Sequence, residues 1–337
     1  MKKILLVILG LAVLYRESFL ARFFQDDFYL LDLARSTNPW VPIANFPFRP
    51  ISVQIFYSFG AWLFGENPIG YHLLLFCLFS AGLLFLFKVS RHLLKNDFAA
   101  IIATAIFAFN VSLFPLFYWV AVSYFVLATF FVFGSANFYL GDSQRSFWLA
   151  VLFFILGLFS NELVMVLPAL LVLLRFSRKV IPFFLIDICF LIFRLVISPF
   201  PKAADYALDF SLKFIGTFRW YALRVLNLPE GRAAYSLEMI ILLIMMVVVL
   251  ILAIRYFSVR RLLFAASWFF IGALPFFFLP NHMSAYYLTI SLFGPAVFLA
   301  EGLAKNKGLA VCFLGVYIMM TVLGLEALSS THWIILK

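Results

Sequence analysis

Charged residues are scarce in this chain. Asp, Glu, Lys and Arg make up 12% of its 337 residues, and hydrophobic residues make up 66%, whereas soluble domains carry about 25% charged and about 45–50% apolar residues. A soluble fold has no interior large enough for so much Phe, Leu and Ile, so lipid must cover most of the surface. The composition excludes an ordinary soluble protein and predicts an all-α polytopic membrane protein.

Cysteine is nearly absent as well. Cys77, Cys189 and Cys312 all lie within apolar runs, so no disulfide framework and no metal–thiolate spacing is available. The net charge is +10, but the basic residues are spread over short connectors, which fits the positive-inside bias of membrane proteins and argues against nucleic acid as a partner. The start, "MKKILLVILGLAVLY", lacks a small-residue cleavage site before Arg16, which predicts an uncleaved first helix instead of a signal peptide.

Apolar runs of about 20 residues, the length that crosses a bilayer, recur along the whole chain. We predict about eleven membrane spans, two of which (147–160 and 163–175) are short enough to form a tight pair. The apolar segment 50–64 is too short to span and is predicted to be an interfacial or re-entrant helix. The eleven predicted spans are 4–23, 69–87, 98–113, 118–139, 147–160, 163–175, 181–198, 237–254, 262–279, 287–303 and 309–328.

The distribution of charge predicts the orientation of these spans. With the N-terminus in the cytoplasm, the connectors on that side carry most of the basic residues, while the short outer turns near 114–117, 161–162 and 280–286 contain no Lys or Arg. Ten acidic residues fall on the outer side. We therefore expect a single transmembrane domain over 1–337 in the cell (inner) membrane, with the outer loops 24–68 and 199–236 forming an extracytoplasmic, active face.

Two neighbouring carboxylates, Asp26 and Asp27 in "FFQDDFYLL", follow the first apolar segment. Such a pair can bind a divalent cation, or one member can act as a general base, since like charges push the two pKa values apart. The alternative is a solvated turn at the membrane surface.

Three polar residues further along extend this outer face. Arg49, in "FRPIS", is suited to bind a phosphate group, or it anchors the chain by reaching to lipid headgroups. Asn161 and Glu162 lie in a short outer turn in "LFSNELVMVLP". They either line a polar site, with Glu162 as a metal ligand beside Asp27, or they cap the following helix.

Asp187 and Arg194 are seven residues apart in one apolar span, so they share a helical face. They are predicted to pair with each other or with a neighbouring helix, as a buried structural ion pair or a cavity wall, with a catalytic role as the less favoured alternative.

The later outer segments carry weaker signals. His282, Tyr286 and Tyr287, in "LPNHMSAYYL", are candidates for substrate contacts or for an interfacial aromatic belt. The loop 199–236 is predicted to contain an amphipathic helix on the outer leaflet, able to meet an anionic lipid head. Its basic residues are Lys202, Lys213, Arg219, Arg224 and Arg232.

Taken together, these segments resemble membrane glycosyltransferases of the GT-C class, most closely the bacterial relatives of protein O-mannosyltransferases and of TPR-bearing transmembrane O-mannosyltransferases. The resemblance covers 20–175 well and 272–303 loosely, while 176–271 matches only as generic membrane helices. It depends on the order and spacing of four stretches: "FFQDDFYLL", "FRPISVQIFYSFGAWLFGENPIGYHLLLF", "FSNELVMVLPALLVLL" and "LPNHMSAYYLTISLFGPAVFLAEGL".

The resemblance implies transfer of a sugar from a polyprenyl-phosphate donor to an extracytoplasmic glycan, lipid or protein acceptor, with inversion. Asp26 and Asp27 match the first-loop acidic motif, Arg49 matches its Arg-Pro step, and the late outer residues and the basic loop are expected to bind substrate. Two departures stand out: Asn161 replaces the basic residue of the family's turn, and Tyr286 stands where relatives often carry Arg. The one cofactor that the acidic residues suggest is a divalent cation. The competing hypotheses are a lipid or solute transporter or flippase, and a catalytically inactive scaffold of the same fold.

Overall fold

The computed structural model describes residues 2–36, 38, 41, 47–197, 206–230 and 236–335. Within these ranges every regular element is helical, with no strand. Parts of both predicted outer loops, including Lys202 and Arg232, lie outside the described residues. Fifteen α-helices are described: α1 (Lys2–Leu14), α2 (Asp26–Ser36), α3 (Phe56–Phe64), α4 (Pro68–Leu94), α5 (Asp97–Ala108), α6 (Pro115–Tyr118), α7 (Ser123–Tyr139), α8 (Gln144–Leu158), α9 (Leu167–Leu174), α10 (Ile181–Ile197), α11 (Lys213–Val225), α12 (Leu237–Ala253), α13 (Val259–Phe277), α14 (Phe293–Leu303) and α15 (Lys307–Thr331).

Six helical segments of the described chain are long and apolar enough to cross a membrane, as a helical membrane protein requires. A seventh span is formed if α5 and the helical segment Val111–Tyr118, which meet at 56°, are taken together. The predicted count of eleven is not confirmed, because the helices within 4–23, 147–160, 163–175 and 287–303 are shorter than a full span. The six are Pro68–Leu94, Val120–Tyr139, Arg178–Ile197, Leu237–Tyr256, Val259–Phe277 and Lys307–Thr331.

The helices form two compact units. Unit 1 comprises Met1–Arg16, Leu86–Pro115 and Asp209–Lys337, and unit 2 comprises Glu17–Phe85 and Leu116–Leu208. Both consist mainly of apolar helices, and a single transmembrane domain over 1–337 stays a prediction.

Buried amides stabilise the break after α5 in unit 1. Asn110 accepts a hydrogen bond from Ser112 N–H and donates to the Tyr317 hydroxyl at 2.8 Å. Asn227, with φ of 64°, accepts from Val111 N–H at 2.6 Å and donates to the Tyr317 carbonyl at 2.8 Å. Because a broken helix leaves N–H groups without intrahelical partners, the two amide oxygens replace the missing bonds of Val111 and Ser112, and the amide nitrogens tie the break to α15.

Close helix contact in unit 1 depends on glycine. A Cβ atom placed on Gly294 of α14 would lie 2.8 Å from the carbonyl oxygen of Ala265 in α13. A hydrogen bond also links α13 to the segment just before α14. The Trp268 indole Nε1–H of α13 donates to the Ile290 carbonyl at 2.9 Å. Only a residue without a side chain allows the two backbones to approach this closely.

In unit 2, α7 packs along α8, and α10 packs against α8 and α9. The segment 50–64 is helical, as the sequence predicts, and begins with a π-helix at Ile51–Ile55 that continues into α3. This π-helix packs against α2 and α7. It therefore joins the first-loop acids to the rest of the unit.

Candidate functional site

The first-loop aspartates begin α2 and point in different directions. Asp26 is exposed, whereas Asp27 is fully buried. Successive residues of an α-helix are rotated by about 100° around its axis, so two adjacent side chains cannot both face the same surroundings. The sequence predicted a pair, and the structure separates its members.

Three hydrogen bonds surround the Asp27 carboxylate. It accepts from Phe24 N–H at 2.8 Å, from the Tyr57 hydroxyl at 3.4 Å, and from the backbone N–H of Ala121. Burial raises the pKa of Asp27 from 3.8 to about 7, and the hydrogen bonds only partly oppose this effect, because a carboxylate removed from water loses its hydration. Asp27 therefore changes its charge close to neutral pH.

A second cluster lies where Arg49, Glu162 and Arg194 meet. Arg49 binds one carboxylate oxygen of Glu162 through Nη2 at 2.7 Å and Nε at 2.8 Å, and Nη2 of Arg194 donates to the other oxygen at 2.6 Å. The side chains of Arg49, Glu162 and Arg194 are 19%, 15% and 1% exposed. Two guanidinium groups share one carboxylate, so the cluster carries one excess positive charge.

The electrostatics of Glu162 follow from these contacts. Burial alone would raise its pKa, but the charges of Arg49 and Arg194 outweigh burial and lower the pKa below its usual value. Glu162 is therefore ionised at neutral pH. The sequence left open whether Arg194 pairs with Asp187 or with a neighbouring helix, and the structure gives Glu162 as its partner.

Asn161 confirms the capping interpretation. Its side-chain oxygen accepts from Leu163 N–H at 2.9 Å at the start of the short helix Glu162–Val166. The residue is 3% exposed, and its Nδ2 has no hydrogen-bond partner among the described residues. The cap fixes the start of this short helix and with it the direction of the Glu162 side chain. Asn161 therefore has a structural role that does not depend on a substrate.

The chain between Arg49 and Tyr57 connects the two clusters. Ile51 N–H donates to the Phe159 carbonyl at 3.2 Å, and the Ser52 hydroxyl donates to the Ser160 carbonyl at 2.6 Å, which attaches the π-helix to the turn that carries Glu162. Tyr57 follows Arg49 by eight positions, and from Ile51 onward the chain between them is helical. The guanidinium cluster and the Asp27 pocket are thus held by a single short segment.

Tyr124 lies near both parts of this arrangement. The guanidinium carbon of Arg49 lies 4.4 Å from the centre of its ring, a cation–π distance. Tyr124 also lies within electrostatic range of Asp26 and of Tyr57. An exposed carboxylate and a partly exposed guanidinium are therefore both within electrostatic range of one tyrosine.

The later candidates belong to unit 1. Tyr286 and Tyr287 are buried in the short helix Ala285–Leu288, and the Tyr287 ring stacks on Phe276 with centroids 4.0 Å apart. His282 is half-buried, and its ring lies 5.8 Å from that of Tyr287. Both tyrosines pack among protein side chains, so they do not form an exposed interfacial belt.

The basic residues of α11 also divide between surface and interior. Arg219 is exposed, as a contact with anionic lipid requires. Arg224 is 4% exposed, its guanidinium carbon lies 4.0 Å from the centre of the Trp220 ring, and Nη1 donates to the Trp220 carbonyl. The prediction that both arginines meet lipid from the same helix is corrected for Arg224, because its side chain turns inward.

The cation considered for Asp27 and Glu162 gains no support from the described residues. They contain no group of three or more His, Cys, Asp or Glu side chains placed to hold a metal ion. Both Glu162 oxygens are occupied by guanidinium groups. A cation ligated by Glu162 would have to displace one of them.

Two residues of this arrangement, Tyr57 and Tyr124, carry no distinctive sequence signal. Both stand in apolar runs, where tyrosine is common in membrane proteins. Only the contacts with Asp27 and Arg49 distinguish them. No protein-family description, curated protein or solved structure matches this chain.

Proposed function

We propose that the chain is a membrane glycosyltransferase that moves a sugar from a polyprenyl-phosphate donor to an extracytoplasmic acceptor with inversion. One observation carries the proposal: Tyr124 contacts Arg49 and lies within electrostatic range of Asp26, so an accessible carboxylate and a guanidinium both belong to the surroundings of one residue within unit 2. Sugar transfer from a lipid phosphate needs these two groups, one to accept the proton of the acceptor hydroxyl and one to stabilise the leaving phosphate.

Asp26 is the base in this proposal. It is the exposed member of the pair and can reach an acceptor hydroxyl, whereas the Asp27 carboxylate is enclosed by protein donors. Asp27 is a positioning residue, because its hydrogen bonds to Phe24, Tyr57 and Ala121 fix the start of α2. The different exposure of the two carboxylates thus assigns them different tasks.

Arg49 binds the donor phosphate in this proposal, and Glu162 orients Arg49. The cluster keeps one positive charge after Glu162 is paired, which favours an anion. The apolar helices supply a surrounding for the polyprenyl tail. The N-terminus is proposed to be cytoplasmic and the site extracytoplasmic, in the cell (inner) membrane, as the charge distribution predicts.

The test supplies tritiated polyprenyl-phosphate mannose or glucose to membranes containing the wild type, Asp26→Asn, Asp27→Asn or Asp32→Asn, and measures radiolabel leaving the donor. Loss of a general base costs about 10²–10⁴-fold in rate, so Asp26→Asn is expected to lose transfer while its amount in the membrane is unchanged. Asp32 is exposed on the same helix, and Asp32→Asn is expected to retain transfer. Wild-type transfer by Asp26→Asn refutes Asp26 as the base, and wild-type transfer by both Asp26→Asn and Asp27→Asn refutes the proposal as a whole.

A further inference from the structure

Asp187 is an acidic residue in the middle of the apolar span Arg178–Ile197. Nine residues precede it in that span and ten follow it. At 1.5 Å per residue it lies about 14 Å from either end, close to the midplane of a hydrocarbon core about 30 Å thick. Its short side chain cannot reach a lipid headgroup from that depth.

No described residue partners this carboxylate. Its Oδ1 is buried without a hydrogen bond, and Arg194, two turns further along α10, donates to Glu162 instead. Asp187 lies between Phe183 and Phe190, whose rings contact Phe154 and Phe159 beside α8. The residues between those two contacts are Ile155, Leu156, Gly157 and Leu158. Helix α9, "LPALLVLL", has no polar side chain either.

Asp187 marks the boundary between the packed and the uncovered faces of α10. Viewed along the helix at 100° per residue, Phe183, Phe190 and Arg194 lie on one side of Asp187 and are all at most 5% exposed. On its other side the exposed fraction rises with angle. It is 36% at Leu191, 39% at Phe184, 55% at Leu195 and 55% at Ile188. An apolar face with a carboxylate along one edge is therefore open to a neighbour.

We propose that this face of α10 binds a membrane-spanning helix of another protein that carries one Lys or Arg near its middle. Ionisable residues at this depth are costly unless paired, and an ammonium or guanidinium on a partner helix pairs with the carboxylate where water is absent. A second copy of this chain packed symmetrically on the same face would bring two carboxylates together, which is unfavourable. The chemistry thus selects a basic helix.

The test uses the full chain in phosphatidylcholine liposomes with synthetic 21-residue Leu-Ala helices. One peptide has Lys at its centre, a matched peptide has Met, and each carries a neighbouring Cys. The native cysteines are replaced by Ala, and Leu191→Cys then reports disulfide cross-linking beside Asp187. Leu185→Cys, exposed and about 120° further around α10, is the matched control.

The Lys peptide is expected to cross-link to Leu191→Cys at least fivefold more than the Met peptide. The preference should disappear in Asp187→Asn and be absent at Leu185→Cys. Equal yields for the two peptides, or a Lys preference that persists in Asp187→Asn, overturn the proposal. The comparison of peptides on the Asp187 protein decides the question even if Asp187→Asn fails to fold, and size-exclusion elution identifies that failure.

Discussion

Replacing Glu162 by Gln tests the guanidinium cluster most severely. The substitution keeps the shape of the side chain but removes the charge that Arg49 and Arg194 share. Arg194 is 1% exposed and would be left as an unpaired buried charge, for which breaking a buried pair costs about 3–5 kcal/mol. Arg49 is 19% exposed, so water partly replaces its lost partner, and Arg49 adds little to the loss of stability. We expect the free energy of unfolding to fall by about 3 kcal/mol, since Gln still accepts one hydrogen bond.

SDS titration of the purified protein in mixed micelles measures this loss, with Glu66→Gln as the control. Glu66 pairs with Arg35 at the exposed surface, and its replacement is expected to leave unfolding unchanged because exposed pairs contribute little. Adding Arg194→Met to Glu162→Gln should recover most of the loss, since the unpaired charge is then gone. If Glu162→Gln unfolds like the wild type, the cluster is not a buried ion pair and the reasoning fails.

The remaining predictions concern pH and packing. The folded pKa of Asp27, about 7, exceeds its ordinary value of 3.8, so its contribution to stability is fully present below about pH 4 and is lost as the pH rises through 7. Asp27→Asn should flatten that part of the plot of unfolding free energy against pH, and an unchanged plot would contradict the burial of Asp27. Asn227→Ala should cost about 3 kcal/mol in the same titration, since it leaves the buried Val111 N–H unpaired and places Ala at a positive φ; a loss below about 1 kcal/mol would show that the helix break does not depend on this amide. Gly294→Ala should destabilise the protein by about 1–3 kcal/mol because the new Cβ meets the α13 backbone, whereas Gly315→Ala should not destabilise it, since open space surrounds Gly315. Equal effects of the two substitutions would contradict close α13–α14 packing.

The helical class follows directly from composition, because only helices satisfy the backbone along such apolar runs. The places where helices break are harder to predict. Asn110 stands in a run that composition alone extends to residue 113, and α5 ends before it because Tyr317 and Asn227, distant in sequence, stabilise the break. A local pattern does not contain those contacts.

The candidate site shows the same division. Arg49 and Glu162 were recognisable in the sequence as polar residues in an apolar chain, but their pairing joins residues 113 positions apart. The different surroundings of Asp26 and Asp27 depend on where α2 begins, and helix starts are poorly fixed by sequence. The sequence indicates that Arg194, in an apolar span, needs a partner, but it does not identify Glu162 as that partner.

Binding of a polyprenyl phosphate by the purified protein tests the central claim most directly. The affinity of the wild type, Arg49→Gln and the exposed-site control Arg35→Gln is compared for a polyprenyl phosphate and for the matching polyprenol. We predict that the wild type and Arg35→Gln prefer the phosphate by at least tenfold, and that Arg49→Gln loses this preference. Equal binding of phosphate and alcohol by the wild type, or a preference unchanged in Arg49→Gln, would contradict the account.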